Sequence, residues 1–78
     1  MNAIATYQYE TLQVSTTDNI LTVTLNRPHK KNAMSFKVVK ELIAVAERIG
    51  KDKTIRAVIL NGAEGTFCAG IDLGDLNH

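Results

Sequence analysis

The sequence predicts an α/β protein, and three observations carry that expectation. Residues 20–26 alternate, with Leu21, Val23 and Leu25 on one face and Thr22, Thr24 and Asn26 on the other, the period of a half-buried strand. Downstream, Val38, Val39, Leu42, Ile43, Val45, Ala46 and Ile49 recur at spacings of three and four, the pattern of an amphipathic helix. Residues 57–60 read Ala-Val-Ile-Leu, a continuous apolar run that suits a strand covered on both faces. A strand, a helix and a buried strand in that order make a βαβ unit, in which the two strands run parallel.

The remaining elements fill in around this unit. Residues 7–15 are rich in Tyr, Thr and Val and suit a first strand. Turn formers at Thr16, Thr17, Asp18 and Asn19 separate it from the second, so the pair reads as an antiparallel hairpin with a four-residue turn. Arg27-Pro28 ends the second strand, because proline donates no N–H and restrains the residue before it. The loop 28–34 is basic and polar. Ser35 is placed to cap the helix, and Gly50 is placed to stop it, with Lys51 and Lys53 facing the negative end of the helix dipole. The helix is expected to pack Val39, Leu42, Ala46 and Ile49 on the sheet, with Glu41 and Glu47 on its solvated side. After the third strand comes a glycine-punctuated loop, and Ile71 to Leu76 are expected to open a second, short helix. No internal repeat or low-complexity segment is visible.

Composition narrows the function classes. At 78 residues the chain is one domain at most, read here as a single incomplete unit over 1–78. A chain of this size is marginal alone. Nine basic and eight acidic residues leave a net charge of +1, and four aromatics are too few for a base-stacking platform. Nucleic acid is therefore not an expected partner. No apolar run approaches the ~20 residues that span a bilayer, so no membrane partner is expected either. Residues 1–9 show neither a basic cluster nor an apolar core of a secretory signal, and the single cysteine, Cys68, cannot pair internally. A reduced, cytoplasmic setting is the expectation.

The segment most able to support chemistry is 66–73, Thr-Phe-Cys-Ala-Gly-Ile-Asp-Leu. A glycine at 70 permits a sharp turn and a close approach of backbone to ligand. If Ile71 starts a helix, its N–H is one of the donors left free there, with the dipole adding positive potential. An aimed amide is what a developing oxyanion requires. A plain strand–loop–helix turn accounts for the same residues. Gly65 and Gly70 share the glycine spacing of a phosphate-binding P-loop, but Ile71 and Asp72 stand where that loop needs Lys and Ser or Thr. With only His29 and His78, no zinc-type ligand spacing exists and no metal is expected. Cys68, between Phe67 and Ala69, reads as a buried structural cysteine. Lys30-Lys31 could meet a phosphate or simply be solvated.

Taken together these segments resemble the crotonase, or enoyl-CoA hydratase/isomerase, family. The resemblance rests on the run Leu25-Asn26-Arg27-Pro28 with Lys30 and Asn32-Ala33-Met34, on the helix from Ser35, on residues 56–62, and on Thr66 to Leu73, in that order and spacing. It implies a spiral of ββα units, of which this chain holds the start: an N-terminal hairpin, an amphipathic helix, a parallel third strand, and a glycine loop leading into a short helix. It implies trimers or pairs of trimers. It implies that the Ile71 N–H is one of two oxyanion donors to a thioester carbonyl. Ala69, Gly70, Asp72 and Leu73 would line the coenzyme A pocket, with Ala33 on the opposite wall and Lys30 near the phosphates. The coenzyme A thioester is then the substrate, and no resident cofactor is implied. Family members are several times longer, and their second donor and acidic residues lie downstream of this motif. The 78 residues alone are accordingly expected to be inactive, and to self-associate or to stay bound to a C-terminal portion. Two other readings stand beside this one: a non-catalytic coenzyme A-binding or assembly module, and an α/β domain without a ligand.

Overall fold

A computed structural model of the chain describes residues 9–68 and Gly70. Strands β1 (Leu12–Thr17) and β2 (Ile20–Leu25) form an antiparallel hairpin. Helix α1 (Phe36–Lys51) follows, and then strand β3 (Ala57–Gly62), which pairs in parallel with β2. The sheet order is β1-β2-β3, so the expected βαβ unit is present with β2 as the central strand. The expected helix over 71–76 lies outside the described residues.

The hairpin turn is tighter than its sequence suggested. Thr16 and Thr17 stay in β1, opposite Leu21 and Ile20, and only Asp18 and Asn19 turn. Both have positive φ, 53° and 66°, the geometry that matches the twist of a two-residue hairpin and that Asp and Asn tolerate. Among the described residues β1 begins at Leu12, so Tyr9, Glu10 and Thr11 lie outside it, and residues 7 and 8 of the expected strand lie outside the described residues.

The core is small. Leu12, Leu21, Val23, Leu25, Val38 and Val45 are buried, with Tyr9, Val14, Met34, Leu42, Ile49, Ile55 and Cys68 packed against them. Leu21, Val23 and Leu25 point inward as the alternation required. The helix face differs from expectation. Val38, Leu42, Val45 and Ile49 meet the sheet, whereas Val39 is 40% exposed and Ala46 is exposed. Ser35 caps α1 as expected, its Oγ accepting from the Val38 N–H at 3.2 Å. Gly50 does not stop the helix, which runs on to Lys51 and ends at Asp52, whose N–H bonds to the Ile49 carbonyl at 3.2 Å.

β3 is the outer strand, and Val58, Ile59 and Leu60 are 45%, 49% and 47% exposed. The expected cover on both faces is not supplied by the described residues. At its end Gly62 is overlain by the chain that returns through Thr66 and Phe67. A Cβ added there would collide with the Thr66 and Phe67 carbonyl oxygens. A short 3-10 turn, Ala63–Gly65, makes the reversal, with Glu64 and Gly65 at positive φ.

Candidate functional site

Two loops meet beyond the C-terminal ends of β2 and β3, where ligands bind in parallel-stranded α/β folds. The first follows β2. Pro28 occupies the start of a 3-10 turn (Pro28–Lys30), where its fixed φ costs nothing and its missing N–H is not needed. The turn closes with the Lys31 N–H on the Pro28 carbonyl at 3.0 Å, and the Ala33 N–H on the Lys30 carbonyl at 3.0 Å. Lys31 and Asn32 both take left-handed φ, 52° and 56°. Arg27 Nη1 donates to the Ala33 carbonyl at 2.8 Å, which fixes the far side of the loop.

The second loop follows β3. Gly70 has φ of 107°, a conformation that disfavours any side chain, and a built Cβ meets nothing there. The carbonyl of Gly70 accepts the Met34 N–H at 2.6 Å. That bond brings the Lys30–Ala33 loop against the glycine turn. Three of the sequence-predicted site residues, Lys30, Ala33 and Gly70, thus belong to one locality. Lys30 is exposed, Ala33 half-buried and Gly70 exposed. Ala69, Ile71, Asp72 and Leu73 lie outside the described residues.

Cys68 is not the buried residue its apolar neighbours suggested. It is half-buried at the rim of the core, and its Sγ accepts the Gly70 N–H at 3.4 Å. Its sulfur therefore helps shape the glycine turn.

Sequence reasoning missed two polar residues. Asn32 is 1% exposed and holds both loops, with its amide donating to the Ala63 and Thr66 carbonyls at 3.0 and 2.5 Å. Its partners lie 31 and 34 residues away, and no local pattern reveals such a contact. Glu41 is the other. It lies at the N-terminal end of β1, not on a solvated face. Its carboxylate accepts the Glu10 N–H at 2.9 Å, the Thr11 N–H at 2.8 Å and the Thr11 hydroxyl at 2.5 Å. Partial burial pushes its carboxyl up. The Thr11 hydroxyl, the two N–H donors and the nearby Lys37 charge outweigh this and hold it below the ordinary glutamate value. Lys37 in turn pairs with Glu10 at 2.8 Å on the surface. Among the described residues no cluster of three or more His, Cys, Asp or Glu could hold a metal ion, and no helix is long and apolar enough to cross a membrane.

A hairpin, a crossover helix and a parallel third strand ending in a glycine turn define the opening unit of a crotonase fold. The enoyl-CoA hydratase/isomerase family model matches residues 15–78, and the chain belongs to that family. It is 40% identical over 74 residues to the mouse Delta(3,5)-Delta(2,4)-dienoyl-CoA isomerase, mitochondrial, a match covering 94% of this chain and 23% of the mouse protein. It is 45% identical over 53 residues to the enoyl-CoA hydratase EchA19 of Mycobacterium tuberculosis, covering 68% of this chain and 20% of that one. Among solved structures, Pseudomonas aeruginosa AtuE superposes with a TM-score of 0.84 at 46% identity, over 87% of this chain and 26% of that one. An enoyl-CoA hydratase from M. tuberculosis H37Rv superposes with a TM-score of 0.83 at 38% identity, over 87% of this chain and 31% of that one. The chain thus spans about a quarter of the length of these relatives, and the matched quarter is their N-terminal portion.

Proposed function

We propose that these residues form the N-terminal part of an acyl-CoA-processing enzyme of the enoyl-CoA hydratase/isomerase kind. They supply one oxyanion-hole N–H, that of Ile71, and part of the coenzyme A pocket. The observation that carries this reading is the bond between the Met34 N–H and the Gly70 carbonyl, which sets the basic loop beside the glycine turn. The Gly70 carbonyl shares one planar peptide with the Ile71 N–H, so the Met34 bond to that carbonyl orients the donor as well. A fixed donor stabilises charge as it grows on a thioester oxygen, without reorganising at the moment of reaction. Lys30 presents an exposed ammonium to the phosphates of coenzyme A. Ala33, Ala69, Gly70, Asp72 and Leu73 line the rest of this part of the pocket, and the small Ala33, Ala69 and Gly70 leave room for the ligand. The thioester is substrate, and no resident cofactor is required. The relatives' names, a dienoyl-CoA isomerase and enoyl-CoA hydratases among them, support a coenzyme A thioester as the substrate class.

The test is a titration of the isotope-labelled chain with coenzyme A, read by amide chemical shifts. Shifts confined to Lys30, Ala33, Gly70 and their neighbours are expected. A chain whose spectrum is unchanged at millimolar coenzyme A sinks the proposal. Lys30→Ala should weaken binding by ~2- to 5-fold, the worth of one exposed ion pair, and the difference should fade at high salt. Turnover of a short-chain enoyl-CoA by the 78 residues alone should be immeasurable. Loss of one oxyanion donor costs ~100- to 1000-fold in rate, and the absence of positioned acid and base groups costs roughly another 100- to 10,000-fold.

A further inference from the structure

We infer that Asn32 is a positioning residue for the glycine turn, a buried amide that locks the loops on either side of Gly70 into one geometry. The inference rests on the functional reading above, which makes the Gly70 turn part of a coenzyme A site. The side chain is 1% exposed, so its polar atoms have no water to fall back on. Both side-chain polar atoms and the backbone N–H are engaged. Nδ2 donates to the carbonyls of Ala63 and Thr66, at 3.0 and 2.5 Å. Oδ1 accepts the Arg27 N–H at 2.7 Å. Its own backbone N–H donates to the Arg27 carbonyl at 2.8 Å. The loop after β2 and the loop after β3 are therefore joined twice: by the Asn32 amide on one side and by the Met34–Gly70 bond on the other.

The chemistry at 32 is narrow. A planar group with two donors and one acceptor is needed, and Asp supplies only the acceptor. A φ of 56° restricts the position further, to Asn, Asp or Gly without strain. Gly62 permits the same closure from below, since the Thr66 and Phe67 backbone passes over it. Asn32 itself is buried, so it acts on the pocket only through the loops it joins. Its effect is to hold the Met34–Gly70 bond, and through it the glycine turn, before any ligand arrives. Pre-organisation of this kind raises affinity by removing an ordering cost from the binding step.

Asn32→Gly keeps the left-handed backbone and deletes the side chain. Asn32→Asp keeps the acceptor and sets an anion against two carbonyls. In both, the Met34 amide should exchange with solvent much faster than in the unmutated chain, while the Leu21 and Val23 amides of β2 keep their protection. Coenzyme A affinity should fall about tenfold, the cost of re-ordering a freed loop at each binding event. In the unmutated chain the Asn32 side-chain amide protons should exchange slowly and shift with the same titration curve as the Gly70 amide. Unchanged Met34 exchange and unchanged affinity in Asn32→Gly overturn the inference. So does a fall in Leu21 and Val23 protection in step with affinity, which marks a general loss of stability. If neither variant folds, the Asn32 amide protons of the unmutated chain decide, and their failure to shift as the Gly70 amide shifts overturns it. Absence of any coenzyme A binding by the unmutated chain instead overturns the functional reading, and Met34 exchange still decides whether Asn32 locks the loops.

Discussion

Glu41 shows how one side chain can tie a strand to a helix. Three donors from Glu10 and Thr11 converge on its carboxylate. Because its folded pKa lies below the ordinary value, the ionised form is favoured by folding. The stability it contributes is fully present above the ordinary glutamate value, about 4.3, and is lost as pH falls from there through the lowered folded value. Glu41→Gln should therefore melt below the unmutated chain at pH near 7, and the gap between the two should close as pH falls below the ordinary glutamate value and through the lowered folded one. A constant gap across that range would show that charge is not what Glu41 contributes. Gly62 gives a sharper prediction. Gly62→Ala drives a methyl group into the Thr66 and Phe67 backbone, which has no flexible end to give way. A loss of about 1–3 kcal/mol in chemical denaturation is expected, whereas Gly50→Ala, with open space around it, should be neutral or slightly stabilising. Neither glycine could be ranked from sequence, where both look like punctuation. The difference lies in what passes overhead, and that is set by residues 66–67.

At the scale of elements, the sequence was most legible where its period had one solution. Leu21, Val23 and Leu25 alternate with polar residues, and all three are buried. The helix was legible as a helix but not in its rotation. Val38, Val39, Leu42, Ile43, Val45, Ala46 and Ile49 span roughly 160° of its circumference at 3.6 residues per turn, an arc wide enough that two inward faces, one turned toward Val45 and one toward Ala46, both fit a spacing of three and four. The sheet takes the face centred on Val38, Leu42, Val45 and Ile49. Val45→Ala should then cost ~2 kcal/mol from two lost methyl groups and the cavity left behind. Val39→Ala should change stability by less than about 0.5 kcal/mol. Thermal or urea denaturation of the pair distinguishes the two rotations, and a larger loss at Val39 would restore the face expected from sequence. Glu41 was read as solvated for the same reason, since a helix projection does not show that β1 begins beside it.

At the scale of the molecule, the βαβ order and its parallel pairing were readable because strand, helix and strand each had a distinct pattern. The exposure of β3 was not. Val58, Ile59 and Leu60 form a run suited to a central strand, yet β3 stands at the edge of the sheet with one side of its backbone unpaired among the described residues. Exposed apolar strands with an open edge pair readily with other chains. Purified on its own, the 78-residue chain is expected to self-associate in light scattering as its concentration rises. Ile59→Lys, on the outer strand, should shift that equilibrium toward the monomer. A monomer that persists at high concentration without the substitution argues against this. The locality of Lys30, Ala33 and Gly70 was legible only through resemblance. Its means of construction, a buried Asn32 reaching across the fold, depends on contacts between residues far apart in the chain.

That same separation has a kinetic consequence. β1 and β2 meet across a two-residue turn, but β2 and β3 must find each other over a long excursion: Thr24, whose hydroxyl donates to Asn61 Oδ1, lies 37 positions before it. Closing a loop of that length costs roughly 3 kcal/mol of chain entropy before any parallel bond forms. The hairpin should therefore assemble early, on the microsecond scale of isolated hairpins, and the docking of β3 should limit the overall rate. Substitutions in the Asp18–Asn19 turn would then act on the folding arm of a chevron plot, and substitutions that loosen the Thr24–Asn61 bond chiefly on the unfolding arm.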